Sequence, residues 1–444
     1  MDPLEINEMG ELIRKRRKER KLRLEDLADE HISPATISNI ERGVPHVNPD
    51  KIQYLMDKLD LDMDNISKLI VNEQKQLQKL RFQLTAIETM QDMGHSREAV
   101  RRLDELDLED NHPFSPIYYL IKGRHYLDSG RYRRAERSFF NVIRLSNLTP
   151  HGQKSNLEAT GYYELGRVNH AQNLLSQALQ YVDNGLQAFK PDGDHGEIRF
   201  KLYQSKALYL ETMNRVGEAI QVVDHVWKDL SQTRDLDTLL RFYRIRTDLL
   251  CRIGMTEEAM EIAKEGLEIA RHNCINQRTF ELWCSLGSVY LTKTAWDEAE
   301  LCYNLALKLR GKIEDESAII LIFTRLGILY MNQGKWEQGE KMLSEAIALG
   351  DRLAHYPLLI EALMATGTFY HQRGESQYGL PYFEKAFQLS KRYGTIKKQY
   401  MALFHLAQCC EKLDRQKFAW CMRELYEVQR NMKDVDLNSL ETII

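Results

Sequence analysis

From about residue 72 to the end of the chain, apolar residues recur at helical spacing with almost no strand-like alternation. That pattern has a longer period of its own. The stretches LWCSLGSVYLTKTAWDEAELCYNLALKL (282–309) and IFTRLGILYMNQGKWEQGEKMLSEAIAL (322–349) align without a gap at a shift of 40 residues. LMATGTFYHQRGESQYGLPYFEKAFQLS (363–390) keeps the same register. Gly287, Gly327 and Gly367 coincide, as do Tyr290, Tyr330 and Tyr370, then Ala299, Gly339 and Gly379, then Ala306, Ala346 and Ala386. Weaker copies run back through Thr247 and Ala207 and forward through Ala407. With a slightly different spacing, Gly123 with Ala135 and Phe139 forms a unit, and Gly166 with Ala178 and Val182 another. Two antiparallel helices pack closely where one offers Gly or Ala and the other fills the gap with a large side chain. The period therefore predicts stacked helical hairpins, seven or eight of them between about 115 and 430, with a partial unit at 82–108 carrying Ala99, Leu103 and Leu106.

Trp283, Leu286, Gly287, Tyr290, Ala299, Tyr303 and Ala306 fill every slot of a motif that resembles the tetratricopeptide repeat. The usual repeat is about 34 residues, so a longer one implies helices or connections extended by about one and a half helical turns. The resemblance implies an α-solenoid superhelix that holds peptides or proteins on the concave face lined by first helices.

The first 71 residues read differently. Between Gly10 and Leu61 the pattern predicts four short helices, over 11–21, 24–31, 34–41 and from Asn48-Pro49 onward, with a fifth from about Asp64. In the third, Ser33 stands at the N-cap, Pro34 at the first helical position and Gly43 at a left-handed cap. Leu24, Leu27 and Ala28 share one face, and Ile52, Leu55, Met56 and Leu59 form another apolar stripe. A helical linker follows, with Leu77, Leu80, Leu84 and Ile87 at helical spacing, suited to packing on the first repeat or to dimerisation.

Leu27-Ala28, Ser33, Ile37-Ser38, Ile40-Glu41, Gly43 and Pro49 together resemble the lambda-repressor-like (Xre/Cro) helix-turn-helix family. His31-Ile32 replaces the glycine of most relatives in a turn one residue shorter. The resemblance places the third helix in the DNA major groove, which assigns Ala35, Thr36 and Asn39 to bases and Ser33 and Arg42 to the vicinity of phosphate. The residue chemistry suits this. Asn39 offers a bidentate pair to adenine and Thr36 a methyl to thymine, while Ile37 and Ile40 face the core and Glu41 anchors the helix in its own domain.

Charge and composition sharpen the picture in two places. The net charge is −4, yet RKRRKERKLR (14–23) holds eight cations and one acid. Beside a helix-turn-helix such a run neutralises phosphates, with Arg14, Arg17, Lys18 and Lys21 the expected contributors. The seven cysteines all lie from Cys251 onward, without metal-ligand spacing, and read as reduced packed thiols of a cytoplasmic protein. Phosphate-cradling glycine loops, zinc-protease pairs and nucleophile elbows are missing, so no catalytic residue, metal or cofactor is expected, and no enzyme. The apolar run at 318–331 is broken by Arg325 and does not read as a membrane span.

Taken whole, the chain resembles the RNPP (Rap/NprR/PlcR/PrgX) family of peptide-responsive quorum-sensing regulators, and is NprR-like in length and repeat number. The resemblance implies an all-α protein with a helix-turn-helix DNA-binding domain at 1–71, a helical linker at 72–81 and a tetratricopeptide-repeat domain at 82–444. It implies a transcription regulator switched by a short imported signalling peptide, acting on a double-stranded operator as a homodimer or higher oligomer. The alternatives are a Rap-like protein that binds a phosphorelay response regulator, with DNA binding subsidiary, and a phage lysis-lysogeny switch. Polar side chains on first helices would hold the peptide backbone, and by repeat position these are Arg167, Gln204, Arg244, Asp248, Arg325 and Asn332.

Overall fold

The computed structural model describes residues 3–431, apart from residues 43, 45, 46, 62, 111, 149–151, 153, 154, 234, 314, 394 and 395. The described residues are all-α: they form helices joined by short turns and contain no strand, only one isolated bridge between Ser155 and Asp194. The chain divides into two compact units, Met1–Gly152 and Gln153–Ile444.

The first unit begins with α1 (Pro3–Glu19), α2 (Leu24–Leu27), α3 (Pro34–Glu41) and α4 (Pro49–Lys58). Met9, Ile13, Leu27, Ile32, Ile37, Ile40, Leu55, Met56, Leu59 and Leu61 make its core. Helix α3 starts where expected, because the Ser33 side chain accepts a hydrogen bond from the Thr36 amide and Pro34 opens the first turn. The Gly43 expected to end it lies outside the described residues. Helix α2 is shorter than the expected 24–31, since Ala28 already has extended backbone, at φ −75° and ψ 145°. Asp29 is the cause: its Oδ1 accepts hydrogen bonds from the amides of His31 (2.8 Å) and Ile32 (3.0 Å), a side-chain turn that competes with the helix.

The linker is one long helix, α5 (Met63–Asp92), followed by α6 (Ser96–Asp104), α7 (Ser115–Asp128) and α8 (Tyr132–Leu148). Leu84 and Ile87 are buried against Ala99, Leu103, Phe114 and Ile121, with Leu77 and Leu80 beside them. The linker's apolar stripe is therefore covered by α6 and α7.

The second unit is seven helix pairs among the described residues. They are α9 (Leu157–Ala171) with α10 (Leu175–Ala188), α11 (Ile198–Thr212) with α12 (Val216–Trp227), and α13 (Leu236–Arg252) with α14 (Thr256–His272). Then come α15 (Asn276–Thr292) with α16 (Trp296–Leu307), α17 (Ser317–Asn332) with α18 (Trp336–Leu353), α19 (Tyr356–Gln372) with α20 (Ser376–Tyr393), and α21 (Ile396–Leu413) with α22 (Arg415–Asn431). The pair α7/α8 of the first unit follows the same scheme, with Gly123 against Phe139.

Each pair closes on the repeated small residue. A Cβ built on Gly287 would lie 2.8 Å from the Tyr303 ring, and one on Gly367 would lie 2.6 Å from Phe383. Successive pairs are tied by the repeated tyrosine, whose hydroxyl donates to a glutamate of the preceding second helix. Tyr330 reaches Glu300 and Tyr370 reaches Glu340, both at 2.8 Å. The turn after each first helix carries the repeat in its backbone too. Asn214, Gly254, Thr294, Gly334 and Gly374 stand 40 residues apart, and all have positive φ.

Two substitutions test this geometry in opposite directions. Gly367→Ala overpacks the Phe383 contact and should destabilise the protein by about 1–3 kcal/mol. Thr294 is β-branched at φ +56°, so Thr294→Gly should stabilise by about 1 kcal/mol. Thermal denaturation followed by circular dichroism checks both, and a shift of the same sign for the two variants contradicts the account.

Candidate nucleic-acid and ligand interfaces

Helix α3 is held from behind so that one side stays open. Ile37 and Ile40 are buried, whereas Ala35 is exposed and Thr36 and Asn39 are half-exposed. The backbone of α1 approaches α3 at Gly10, where a Cβ would meet the Ile40 carbonyl oxygen at 2.4 Å. Only glycine permits that approach. Two helical turns further along α1, Arg17 reaches across to the last residue of α3. Its Nε donates to Glu41 Oε1 (2.6 Å), one Nη to Glu41 Oε2 (2.9 Å) and the other to the Leu22 carbonyl (2.8 Å). Arg17 and Glu41 are only 12% and 6% exposed. The bond to Glu41 raises the Arg17 pKa above its already high ordinary value, against the opposing effect of burial.

The turn between α2 and α3 is fastened to α4. Asp29 Oδ2 accepts from the Tyr54 hydroxyl at 2.6 Å and pairs with Lys58, whose ammonium also donates to the Leu27 carbonyl at 2.9 Å. The His31 ring stacks on Tyr54 at 5.3 Å. Hydrogen bonds from Lys58 and Tyr54 hold the Asp29 carboxyl well below the usual carboxylate range, so it is ionised wherever the domain works. None of residues 28–33 has positive φ. The turn thus needs no glycine, which accounts for His31-Ile32 in its place.

On the open side, the polar groups touch one another. Ser33 Oγ lies 2.9 Å from Thr36 Oγ1, and Arg42 donates to the Ser38 carbonyl (3.2 Å) and to Asn39 Oδ1 (2.6 Å). Arg42 occupies one of the two lone pairs of the Asn39 carbonyl oxygen, and the other stays open beside the Asn39 N–H donors. Arg14, Lys18 and Lys21 are exposed and make no ion pair with a described residue. Lys21 sits at φ +55° in the turn that ends α1. Arg17 does not share that free surface, because its guanidinium is spent inside the domain. The anchor role expected of Glu41 has Arg17 as its partner.

Of the six residues expected at the peptide, Arg244 and Asp248 are bonded to each other. Arg167 on α9 donates to the buried Glu164 at 2.7 Å. Gln204 on α11 is half-buried, and Asn332 is exposed at the end of α17. Arg244 and Asp248 are paired on α13 at 2.9 Å, inside a charge network that single-residue reasoning missed. Arg244 also faces Glu281 on α15 at 3.7 Å, and Glu281 is held by Arg278 at 2.7 Å. Arg278 in turn binds Asp237 at 2.6 Å, and Arg252 approaches Glu211 on α11 at 3.5 Å. Burial is the main cause that raises the Glu211 pKa, and the Asp248 charge adds to it. For Arg244 burial works against the charge, and Asp248, Glu281 and Glu211 more than offset it. Glu211 and Asp248 stand on neighbouring first helices, α11 and α13.

Among the described residues no group of three or more His, Cys, Asp or Glu could hold a metal ion, and no helix is long and apolar enough to cross a membrane.

Residues 13–66 match the helix-turn-helix family, and residues 122–193 match the tetratricopeptide-repeat family. No curated protein matches the chain. Among solved structures, the apo quorum sensor NprR of B. thuringiensis is similar over 79% of this chain and 99% of its own, at TM-score 0.54 and 14% identity. The apo form of RapI gives 79%, 97%, 0.55 and 14% in the same order. A Rap protein complexed with Competence and Sporulation Factor gives 80%, 98%, 0.54 and 14%. At such identities the likeness is one of fold.

If Arg17 is a strut and not a phosphate ligand, Glu41→Ala, which strands a buried charge, should cost the N-terminal domain about 3 kcal/mol. Arg17→Ala should destabilise comparably, and the double variant should cost much less than the sum, in a thermal double-mutant cycle. An Arg17→Ala variant that melts like the parent but binds DNA with a shallower salt dependence would return Arg17 to the phosphates.

By sequence match and by fold, then, the chain joins a helix-turn-helix domain of the Xre type to tetratricopeptide repeats, in the fold of the Rap and NprR quorum-sensing proteins.

Proposed function

We propose that this chain is a cytoplasmic, non-enzymatic, sequence-specific transcription regulator whose DNA binding is controlled by a short signalling peptide held on the first helices of its repeats. One observation carries the reading. A helix with a buried apolar back and an open face of Ala35, Thr36 and Asn39 sits in the same chain as repeats whose first helices line up charged side chains. The fold likeness to NprR, described as a quorum sensor, and to a Rap protein solved with a signalling factor supports the peptide half of the reading. The functional boundaries are 1–71 for DNA, 72–81 for the linker and 82–444 for the repeats, although the compact unit that holds the reader runs on to Gly152. As a homodimer the protein would place two α3 helices on half-sites about one DNA turn, roughly 34–36 Å, apart or a multiple of it.

In this reading Asn39 and Thr36 specify bases, Ser33 caps α3 close to a phosphate, and Arg42, bonded to Asn39, lies near the backbone of the operator. Arg14, Lys18 and Lys21 neutralise phosphates without sequence preference. The Rap likeness is as high as the NprR likeness, and for that reason a phosphorelay response regulator is kept as a second partner. Its capture by a variant lacking residues 1–71 would favour that role.

Thr36→Ala with Asn39→Ala should remove about 1–3 kcal/mol of discrimination per lost base contact while leaving the helical signal intact. Footprinting on an operator selected with the parent protein tests this, and unchanged protection by the double variant refutes the assignment of α3. Arg14→Gln with Lys18→Gln should instead weaken binding on every sequence and lower the log–log salt slope by about 2. A loss confined to one operator contradicts a phosphate role.

A further inference from the structure

Among the first helices of the second unit, α17 carries an arginine and no acid. Arg252 is answered by Glu211, Arg244 by Asp248 and Glu281, and Arg278 by Glu281 and Asp237. Moving on by the 40-residue period, the position of Glu211 becomes Cys251 and then Leu291, and that of Asp248 becomes Ser288 and then Ile328. The next arginine is Arg325 on α17, which makes no ion pair or hydrogen bond with any described residue. Its Nε is sealed from solvent without an acceptor. Its charge is felt by the Cys251 thiol on α13 and by the Tyr303 hydroxyl on α16, so the guanidinium lies within electrostatic range of both preceding repeats. The side chains there are small and polar: Ser288 lies 3.2 Å from the Tyr303 hydroxyl, and Thr292 lies 3.5 Å from Cys251.

We propose that Arg325 is a carboxylate-binding subsite of the repeat face, the point at which an anionic group of the bound peptide is fixed. This rests on the peptide-receptor reading and adds to it the chemical class of one anchor. A guanidinium with its Nε buried and unmatched gains most from a planar acceptor that takes two parallel N–H bonds, and a carboxylate supplies that geometry. Ser288, Thr292 and Cys251 carry no negative charge at neutral pH to compete for it. The paired arginines Arg244, Arg252 and Arg278 are not equivalent, because a ligand would have to break an existing ion pair at each. The carboxylate is either the free C-terminus of the peptide or an Asp or Glu side chain, and the two present the same group to Arg325.

The test uses the full chain and pools of short random-sequence peptides. One pool has free C-termini, a second is C-terminally amidated, and a third is amidated and free of Asp and Glu. Peptides retained through gel filtration are identified by mass spectrometry, and their affinities are measured on the parent, Arg325→Gln and Arg325→Lys. The expected result is retention from the first or second pool and at least tenfold weaker binding of those peptides to Arg325→Gln. Arg325→Lys should recover part of the loss, and all three proteins should have the same melting temperature. Retention from the first pool alone identifies the C-terminus as the anion, and retention from the second identifies a side chain. Equal retention from the third pool, or unchanged affinity on Arg325→Gln, overturns the subsite while leaving the receptor reading in place. No retention from any pool by the parent overturns both.

Discussion

The approach of two helix backbones at a glycine or alanine is the contact on which the repeats depend. At Gly287 and Gly367 the facing ring occupies the volume a side chain would need. Dispersion and burial at that contact are strong only at close range, so the small residue and the ring must recur together. Their recurrence fixes the crossing point of each pair, and the crossing point fixes which side of each first helix remains uncovered. The long period follows from the same geometry. Helices α13, α14 and α15 are each 17 residues long and joined by three-residue turns, so a left-handed residue falls at the same place from Asn214 through Gly254, Thr294 and Gly334 to Gly374.

The N-terminal domain solves a related problem with a different residue set. Helix α3 keeps its outer face polar, so everything that holds it acts from behind or from its ends. Gly10 lets α1 reach the Ile40 carbonyl, Arg17 grips Glu41 at the C-terminal end, and Ser33 caps the N-terminal end. Asp29, Tyr54 and Lys58 then tie the incoming turn to α4. Arg17 illustrates why a charge run is a poor guide to function residue by residue: adjacent cations on one helix point in different directions, and the one facing α3 is spent on structure while Arg14 and Lys18 are not.

How much of this the sequence made legible differs by level. The repeat was readable because helical periodicity and the small-residue positions reinforce one another over several copies, and the cap at Ser33 and the start at Pro34 are local signals. Helix α2 was read too long because the amphipathic pattern through Ala28 and His31 suits a helix, while the side-chain turn of Asp29 that stops it depends on Tyr54 and Lys58, some twenty-five residues away or more. Gly10 and Arg17 were opaque for the same reason, since their roles are set by a helix distant in sequence. The charge network could have been found by reading charged positions across successive first helices, where Glu211, Arg244, Asp248 and Glu281 fall. Considered one at a time, each was an ordinary charged residue of a helix.

That network also sorts the polar groups of the repeat face by what they can offer a ligand. Arg167, Arg244 and Asp248 already hold partners, and a ligand bonding to them must first displace an ion pair, so the net gain is small. Their contribution is to set the field and stiffness of the surface. Gln204, Arg325 and Asn332 carry no such commitment among the described residues. A neutral amide suits the peptide backbone, whose N–H and C=O groups are the same along any sequence, and it adds affinity without much selectivity. An unmatched guanidinium does the reverse, because leaving it unpaired in a half-buried site penalises every ligand that lacks an anion at that point. On the proposed reading, selectivity on this face would rest on Arg325, and the paired residues around it would matter chiefly by offering a ligand a poorer anion site.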